Sequence, residues 1–366
     1  MNSKTFHKYL KILILFITIT ITLSFRFEGC SKNPVESDRH LKTGMGMIDK
    51  GDISGAIKEF DLAIDLNSDN SEAYYERGVC YISQKDMNRG LEDLTRAIAF
   101  NPINAKYYDR RGYIYLTLNN FSSAMNDYEY AVKFDTKNAI YVNKRGYVYA
   151  NLKDYIQAVK DYTKAIELNP DYEEAVANRG FAYINLKRYD KAKSDFIKAI
   201  TLNPNRGIYY NSLGYCYANE QLYDSAISNY NKAIELDSRN PDAYINRGYA
   251  YLNTKAYRSA VDDFSKALQL DSTKASSCNS LGYAYANLKD YKNAAFYYDK
   301  AIILDSTFAD AYVNRGFAKY NSSLSPDAMN DWETAIRLNP ELADYLRPYM
   351  ERLEELNKKL EGKKKR

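Results

Sequence analysis

Asn178-Arg179-Gly180-Phe181-Ala182-Tyr183 is the stretch from which the rest of the chain can be ordered. It returns as NRGYAY at residues 246–251 and as NRGFA at residues 314–318, two steps of 68 residues. The related sequences GYCY and GYAY begin midway, at residues 214 and 282. The underlying step is therefore 34 residues. A fixed step of that length is typical of stacked supersecondary units, each packing on its neighbours.

The 34-residue step holds without insertion or deletion from Ser37 to Leu342, which gives nine copies. Position 8 of the copy is always glycine, position 27 is always alanine, and position 24 is always large and apolar or aromatic. Positions 4, 8 and 11 fall on one face of a helix, and positions 20, 24 and 27 fall on one face of a second helix. Each copy is therefore predicted to be a pair of antiparallel helices that ends at the Asn or Asp of position 31.

These features resemble those of the tetratricopeptide repeat, and the resemblance covers residues 37–342. It implies an all-α fold in which nine helix-turn-helix repeats form a right-handed superhelical solenoid. Residues 343–361 combine an apolar stripe with a charged back and are predicted to form a capping helix at the end of the array. Residues 362–366 are predicted to be a solvated basic tail.

The resemblance also implies a function, because such arrays act as non-enzymatic scaffolds that bind a partner protein. Their first helices line a concave groove, and partner contacts generally come from positions 2, 5, 6, 9, 12 and 13. Position 5 or 6 carries asparagine in six repeats, and position 9 carries an aromatic ring in the same six. These residues are Asn143, Asn178, Asn211, Asn246, Asn279 and Asn314, with the rings of Tyr147, Phe181, Tyr215, Tyr249, Tyr283 and Phe317.

Asparagine amides donate and accept hydrogen bonds, which suits the backbone of an extended peptide, and the rings offer flat apolar contacts. Two structural alternatives apply: the rings pack on neighbouring first helices, and the asparagines at position 13 end their helices in the left-handed conformation. For the asparagines at positions 5 and 6 the sequence indicates no structural role. Carbohydrate binding in the same groove is the alternative function, since rings and amides also suit sugars.

The nine copies can also be compared with one another. Position 7 is arginine in six copies and position 23 is aspartate in the same six, whereas Leu213 and Leu281 at position 7 accompany Asn229 and Tyr297 at position 23. We therefore predict an ion pair between the two helices of one repeat; arginines that reach into the groove for an acidic partner are the alternative. The predicted pairs are Arg77–Asp93, Arg111–Asp127, Arg145–Asp161, Arg179–Asp195, Arg247–Asp263 and Arg315–Asp331.

Residues 1–29 have the layout of a secretory signal, with three lysines in the first eleven residues and a short apolar run after them. Gly29-Cys30-Ser31 resembles the lipobox of bacterial lipoproteins, which implies cleavage before Cys30 and attachment of lipid to its thiol. An uncleaved signal anchor and simple secretion are the alternatives. Residues 30–36 would then form a tether. The protein is expected on a membrane of the bacterial cell envelope, facing the periplasm or the cell surface.

Charge and composition argue against other classes of protein. The net charge is +4, but residues 1–29 and the last six residues each carry +3, which leaves −2 for residues 30–360. A nucleic-acid partner is not expected, because phosphate binding needs a basic face. With two histidines and no Cys/His cluster at metal-ligand spacing, no metal, cofactor or catalytic site is expected. Cys80, Cys216 and Cys278 lie in non-adjacent repeats and are expected to remain buried thiols.

Overall fold

The computed structural model describes residues 33–323 and 327–364. Within these residues all regular structure is helical, with nineteen α-helices and one short 3-10 helix. The described chain divides into two compact units after Pro170, in the loop between the fourth and fifth repeats. The all-α fold of consecutive helix-turn-helix repeats with a C-terminal helix is confirmed. The predicted signal sequence, Cys30 and the last two residues of the predicted basic tail lie outside the described residues.

The first unit contains repeats one to four, and its helices follow one another in pairs. They are α1 (Pro34–Asp49), α2 (Ile53–Leu66), α3 (Ser71–Ser83), α4 (Met87–Phe100), α5 (Ala105–Thr117), α6 (Phe121–Phe134), α7 (Ala139–Asn151) and α8 (Tyr155–Leu168).

The second unit contains repeats five to nine and the C-terminal helix. Its helices are α9 (Glu173–Asn185), α10 (Tyr189–Leu202), α11 (Gly207–Asn219), α12 (Tyr223–Leu236), α13 (Pro241–Asn253), α14 (Tyr257–Leu270), α15 (Ala275–Asn287), α16 (Tyr291–Leu304), α17 (Ala309–Ser323), α18 (Asp327–Leu338) and α19 (Ala343–Lys364), with the 3-10 helix Pro340–Leu342 before α19.

The core of each repeat is formed by the small and aromatic positions of the 34-residue pattern. In repeat seven, Ala260, Phe264 and Ala267 at positions 20, 24 and 27 are at most 1% exposed. A Cβ added to Gly248 at position 8 would lie 2.9 Å from the Phe264 ring, so glycine lets the first helix approach the ring. Within each unit, a first helix packs on the second helix of its repeat, and that helix packs on the next repeat.

The ends of the helices repeat one hydrogen-bond pattern, seen between α7 and α8. Lys153, at position 15, is left-handed with φ 63°. Its N–H donates to the carbonyl oxygen of Ala150 (3.0 Å), and the N–H of Asp154 donates to that of Tyr149 (2.9 Å), which is a Schellman motif. The Asp154 side chain then caps α8 by accepting the N–H of Gln157. The alternative that asparagines at position 13 end their helices is borne out, since α7 ends at Asn151, but the left-handed residue is the one at position 15.

The two ends of the described chain are helical. Asn33 accepts the N–H of Glu36 (3.2 Å) and Pro34 occupies the first turn, so α1 begins within the segment expected to be a tether. At the other end, α19 buries Leu346 and Leu353 against Trp332 of the ninth repeat. None of the described helices combines the length and apolar character needed to span a membrane.

Candidate partner-binding surface

The first-helix face of the second unit is the surface formed by positions 5, 6, 9 and 13 of α9, α11, α13, α15 and α17. Tyr215, Tyr249 and Tyr283 at position 9 are 39%, 40% and 46% exposed. The ring of Tyr249 stands edge-on to Phe264 beneath it, with centroids 5.2 Å apart, and its hydroxyl lies 2.7 Å from the Ser280 Oγ. Tyr249 is therefore held in place, while much of each of the three rings remains open to a partner.

Tyr113 and Tyr147 hold the same position in the first unit and are 43% and 47% exposed. Phe181 differs, because it is only partly exposed and packs edge-on to Phe196, with centroids 5.1 Å apart. The alternative that these rings pack on neighbouring first helices therefore holds in part. Phe181 and Tyr249 pack on position 24 of their own repeat, and the Tyr249 hydroxyl also contacts Ser280 on the next first helix.

The asparagines at position 13 close the last turns of the first helices. Each Nδ2 donates to the carbonyl oxygen of the position-9 residue four residues earlier, over 2.8–2.9 Å, which fixes the amide beside the exposed ring. The Oδ1 of Asn253 accepts the Tyr223 hydroxyl over 3.2 Å, whereas for the other five no bond to Oδ1 is recorded among the described residues. The six asparagines are Asn151, Asn185, Asn219, Asn253, Asn287 and Asn321.

The asparagines at positions 5 and 6 have a structural role that the sequence did not indicate. Asn246 donates to the Oδ1 of Asn211 over 3.1 Å, and Asn314 donates to that of Asn279 over 3.0 Å. Each bond joins the first helices of two consecutive repeats. The expectation that these amides have no structural role is therefore wrong for these two pairs, because partly buried amides between close helices need hydrogen-bond partners of their own.

Two further residues predicted to bind the partner have restricted access. Asn143 is 1% exposed and lies within the first unit, so it does not reach the surface. Asn178 is partly buried. In the first unit, the corresponding contact between position 5 of repeat three and position 6 of repeat four is an ion pair. The Lys144 Nζ lies 2.6 Å from the Asp109 Oδ1. Of the predicted contacts, position 9 therefore offers the most accessible side chains.

Phe317, the last predicted ring, is covered by the C-terminal helix. Tyr349 of α19 stands perpendicular to it, with centroids 4.9 Å apart, and Tyr345 approaches to 6.0 Å. Trp332 supports it from below at 5.2 Å. The capping helix therefore occupies the face of Phe317 that was predicted to contact a partner, because the end of the array must be closed by an apolar surface.

A pocket forms where α19 meets the first-helix face, and we call it the terminal pocket. Its volume is about 310 Å³, which is at the lower end of the range for ligand pockets. It brings together position-9 rings, position-13 asparagines and one asparagine of position 6, and it adds Tyr345, which the repeat pattern does not predict. Its polar and aromatic lining includes Tyr283, Asn287, Asn314, Phe317, Asn321 and Tyr345.

The six arginines of position 7 face the six aspartates of position 23 in the same repeat. Arg179 donates from Nε and Nη2 to the two carboxylate oxygens of Asp195, over 2.9 and 2.7 Å. This fork is repeated in the other five pairs. Asp195 is 4% exposed, and hydrogen bonding to it raises the pKa of Arg179. The arginines thus join the two helices of a repeat and do not line the first-helix face.

The arginines make a second contact that the comparison of copies missed. Arg247 also donates to the Oδ1 of Asn231 (2.6 Å), and Arg315 donates to that of Asp299 (2.6 Å), both in the preceding repeat. In the preceding repeat, position 25 is polar before all six arginines. Before the two leucines of position 7 it is Ile197 and Ser265, so the sequence carried only a partial signal for this contact. Arg247 and Arg315 therefore each stabilise their own repeat and its junction with the one before.

The geometry defines a class: an array of two-helix repeats whose first helices present an aromatic and amide surface. Family models described as tetratricopeptide repeats match residues 48–105, 105–138, 142–172, 174–206, 241–274 and 275–308, and a model described as a TPR repeat matches residues 217–255. The chain belongs to the tetratricopeptide repeat family. Members of this family generally act as non-enzymatic scaffolds for protein–protein interaction.

Similar solved structures share this fold. A tetratricopeptide repeat protein from Parabacteroides merdae is 21% identical, with a TM-score of 0.51, over 68% of this chain and 98% of its own. A chain of the APC/C hetero-tetramer Cut9–Hcn1 is 17% identical, with a TM-score of 0.53, over 82% of this chain and 59% of its own. At these identities the likeness concerns the fold alone. No curated protein sequence matches the chain.

The described part of the chain gives little support for metal binding or for thiol chemistry. Residues 33–323 and 327–364 contain no group of His, Cys, Asp and Glu side chains arranged to hold a metal ion. Cys80, Cys216 and Cys278 are buried free thiols. Burial raises the pKa of Cys80 to about 11 and that of Cys216 to about 12, so these thiols stay protonated at neutral pH.

Proposed function

We propose that the first-helix face of the second unit binds an extended peptide segment of another protein. The observation that carries the proposal is the row of half-exposed tyrosines at position 9, one per repeat at Tyr215, Tyr249 and Tyr283. Beside each ring, a position-13 asparagine is oriented by its bond to the backbone. Asn219 and Asn287 present their Oδ1 as an acceptor, while that of Asn253 also accepts the Tyr223 hydroxyl. Aromatic contacts with side chains and hydrogen bonds to peptide N–H groups suit an extended chain.

The terminal pocket supports the same function, because it ends the tyrosine row. Tyr283 and Tyr345 give it aromatic walls, and Asn287 and Asn321 give it amide groups. A peptide lying along the row would place one side chain in this pocket. Position-5 and position-6 asparagines contribute mainly by holding the helices at a fixed spacing, as in the bond between Asn211 and Asn246.

Site-specific photo-crosslinking tests the proposal in the full chain. A photo-reactive phenylalanine analogue at Tyr249 should capture one short segment of a partner protein, and the triple variant Tyr215→Ala, Tyr283→Ala, Asn287→Ala should remove that product. The matched control carries the analogue at Ile197, which is 49% exposed on the second helix of repeat five. Equal crosslinking from Ile197 would contradict the proposal. Retention of the protein on glycans, lost in the triple variant, would favour the alternative of carbohydrate binding.

We further propose that the protein is lipid-anchored through Cys30 at a bacterial cell-envelope membrane. Support comes from the sequence Gly29-Cys30-Ser31 after an apolar run that follows three lysines. Metabolic labelling with palmitate should mark the wild-type protein and not Cys30→Ala, with Cys80→Ala as the control that keeps the label. Absence of label in the wild type, with the protein still in the membrane fraction, would instead favour an uncleaved signal anchor.

A further inference from the structure

Repeat eight differs from the other repeats on its second-helix side. Position 22 is Phe296, whereas every other repeat has a polar residue there. Position 29 is Ile303, whereas the others have a polar residue or alanine. Position 4 is Cys278, where most repeats have tyrosine or valine, and position 7 is Leu281, where six have arginine. These departures all concern one surface, at the junction of α14, α15 and α16.

In repeat seven this junction is closed by a tyrosine and an arginine. The Arg247 guanidinium lies over the Tyr244 ring, 5.7 Å from its centroid. It donates to Asp263 in its own repeat and to Asn231 in the preceding repeat. The two large side chains therefore fill the space between the second helices of consecutive repeats.

In repeat eight the same space is open, because Cys278 and Leu281 are too small to fill it. A pocket of about 430 Å³ lies there, and we call it the repeat-eight pocket. Most of its wall is apolar, and Lys300 is the one charged residue that lines it. The lining residues are Ser265, Leu268, Gln269, Ser272, Cys278, Leu281, Tyr297, Lys300, Ile303 and Leu304.

An exposed stripe on α16 runs past the pocket. Phe296, Lys300 and Ile303 are spaced i, i+4 and i+7, which places them on one face of the helix. Phe296 is 51% exposed and Ile303 is 81% exposed. The Lys300 ammonium lies over the Phe296 ring at 4.6 Å. Among the described residues, no carboxylate is recorded within ion-pair distance of Lys300, so its charge is available to a partner.

We propose that the repeat-eight pocket and this stripe form a second docking surface, for a peptide in which an apolar side chain is flanked by carboxylates. The apolar side chain would enter the pocket, and a neighbouring carboxylate would pair with Lys300, which lies over an aromatic ring. A small molecule within the pocket would leave Ile303 uncovered. A second copy related by a two-fold axis would bring Lys300 toward its own equivalent, which like charges oppose.

The test uses the full chain and two matched sets of fluorescent 12-residue peptides, with a central Leu, Ile or Phe flanked by Asp and Glu in one set and by Lys and Arg in the other. Fluorescence anisotropy should show binding of the acidic set at least roughly tenfold tighter than the basic set. Lys300→Glu should reverse this preference. Ile303→Glu, a change at a residue that is 81% exposed, should weaken binding of the acidic set.

A pocket-filling variant gives a control within the chain. Cys278→Tyr, Leu281→Arg, Tyr297→Asp restores in repeat eight the residues of repeat seven and should reduce binding of the acidic set by roughly tenfold or more. Leu213→Arg, Asn229→Asp makes the corresponding exchange in repeat six, which keeps Tyr210 at position 4, and should leave binding unchanged.

Three results would overturn the proposal: equal binding of both peptide sets to the wild type, no loss in the pocket-filling variant, or a wild-type dimer in sedimentation that becomes monomeric in that variant. The last result would assign the surface to a second copy of the chain. Loss of the tyrosine row should not affect binding of the acidic peptides. Failure of the repeat-eight docking surface is therefore distinguishable from failure of the proposed peptide site on the first-helix face.

Discussion

At the level of single residues, the arginine at position 7 stabilises two interfaces with one charge. Arg247 donates to Asp263 of its own repeat and to Asn231 of the preceding one. Hydrogen bonding to Asp263 raises the pKa of Arg247, and burial raises the pKa of Asp263. Asp263 is 4% exposed, so loss of the guanidinium leaves a buried carboxyl group without its counter-charge.

Arg247→Leu should lower the free energy of unfolding by about 3 kcal/mol at pH 7, since breaking a buried pair leaves one charge uncompensated. Adding Asp263→Asn should recover part of the loss, because repeat six already combines Leu213 with Asn229. A carboxyl group with a raised pKa in the folded state favours folding at low pH and loses that contribution as pH rises, so the deficit of the single variant should shrink toward pH 4. Urea denaturation at each pH measures these free energies of unfolding. A double variant as unstable as the sum of both single variants would contradict the pairing.

The buried hydroxyl of Tyr128 supplies a second prediction at this scale. It is buried at position 24 of repeat three and has no hydrogen-bond partner among the described residues. Tyr128→Phe should therefore raise the free energy of unfolding by about 1 kcal/mol, because an unsatisfied buried hydroxyl is removed. Tyr107→Phe is the control: its hydroxyl donates to Glu72 over 2.6 Å, and its loss should be destabilising. Thermal denaturation measures both variants, and an equal loss of stability in the two would refute this account.

At the level of the element, the turn between the two helices of a repeat contains a residue in an unfavourable conformation. Position 15 has positive φ in eight repeats: the residue is glycine in the first, asparagine in the third, and lysine or glutamine in the other six. A side chain with a Cβ costs roughly 1 kcal/mol in this region, whereas glycine adopts it freely.

Lys153→Gly should therefore raise the free energy of unfolding by about 0.5 kcal/mol or more, because glycine adopts the left-handed conformation between α7 and α8 without the steric strain of a Cβ. The matched control is Lys160→Gly in the middle of α8, where lysine is exposed and glycine costs about 1 kcal/mol. Both variants can be compared by urea denaturation of the full chain. If the two substitutions destabilise equally, the Schellman turn is not the source of strain.

At the scale of the whole molecule, stability should depend on keeping buried tyrosines neutral. Burial raises the pKa of Tyr107, Tyr141 and Tyr209 to about 12, from an ordinary value of 10.0. The unfolded chain ionises these groups near pH 10, whereas the folded chain keeps them neutral. The stability they provide is fully present below pH 10 and is lost as pH rises through about 12.

We therefore expect the midpoint of thermal unfolding to be nearly constant from pH 7 to pH 9 and to fall steeply between pH 10 and about 12. Circular dichroism measures unfolding, and the ultraviolet absorbance of tyrosinate should rise together with it. A midpoint unchanged up to about pH 12 would show that these rings are not protected by the fold.

Much of the fold could be read from the 34-residue step, because the residues that decide it act locally. Glycine at position 8, alanine at 20 and 27 and the ring at 24 specify one helix pair, and each pair repeats the same packing. The arginine–aspartate relation was visible because nine copies provide a comparison within one chain. The candidate site was less predictable, since the exposure of Phe317 depends on α19, which lies outside the repeat pattern.

The sequence by itself determined the two-helix repeat and its end at position 31, which follow from spacing within 34 residues. The residues expected to line the first-helix face were implied by the resemblance to tetratricopeptide repeats. Only the tertiary structure decided which of those residues remain accessible. Asn211 bonds Asn246 of the next repeat, Tyr349 covers Phe317, and the small Cys278 and Leu281 open a pocket on the opposite side. Each of these outcomes depends on contacts between repeats or with the last helix, and periodicity within one copy carries no information about them.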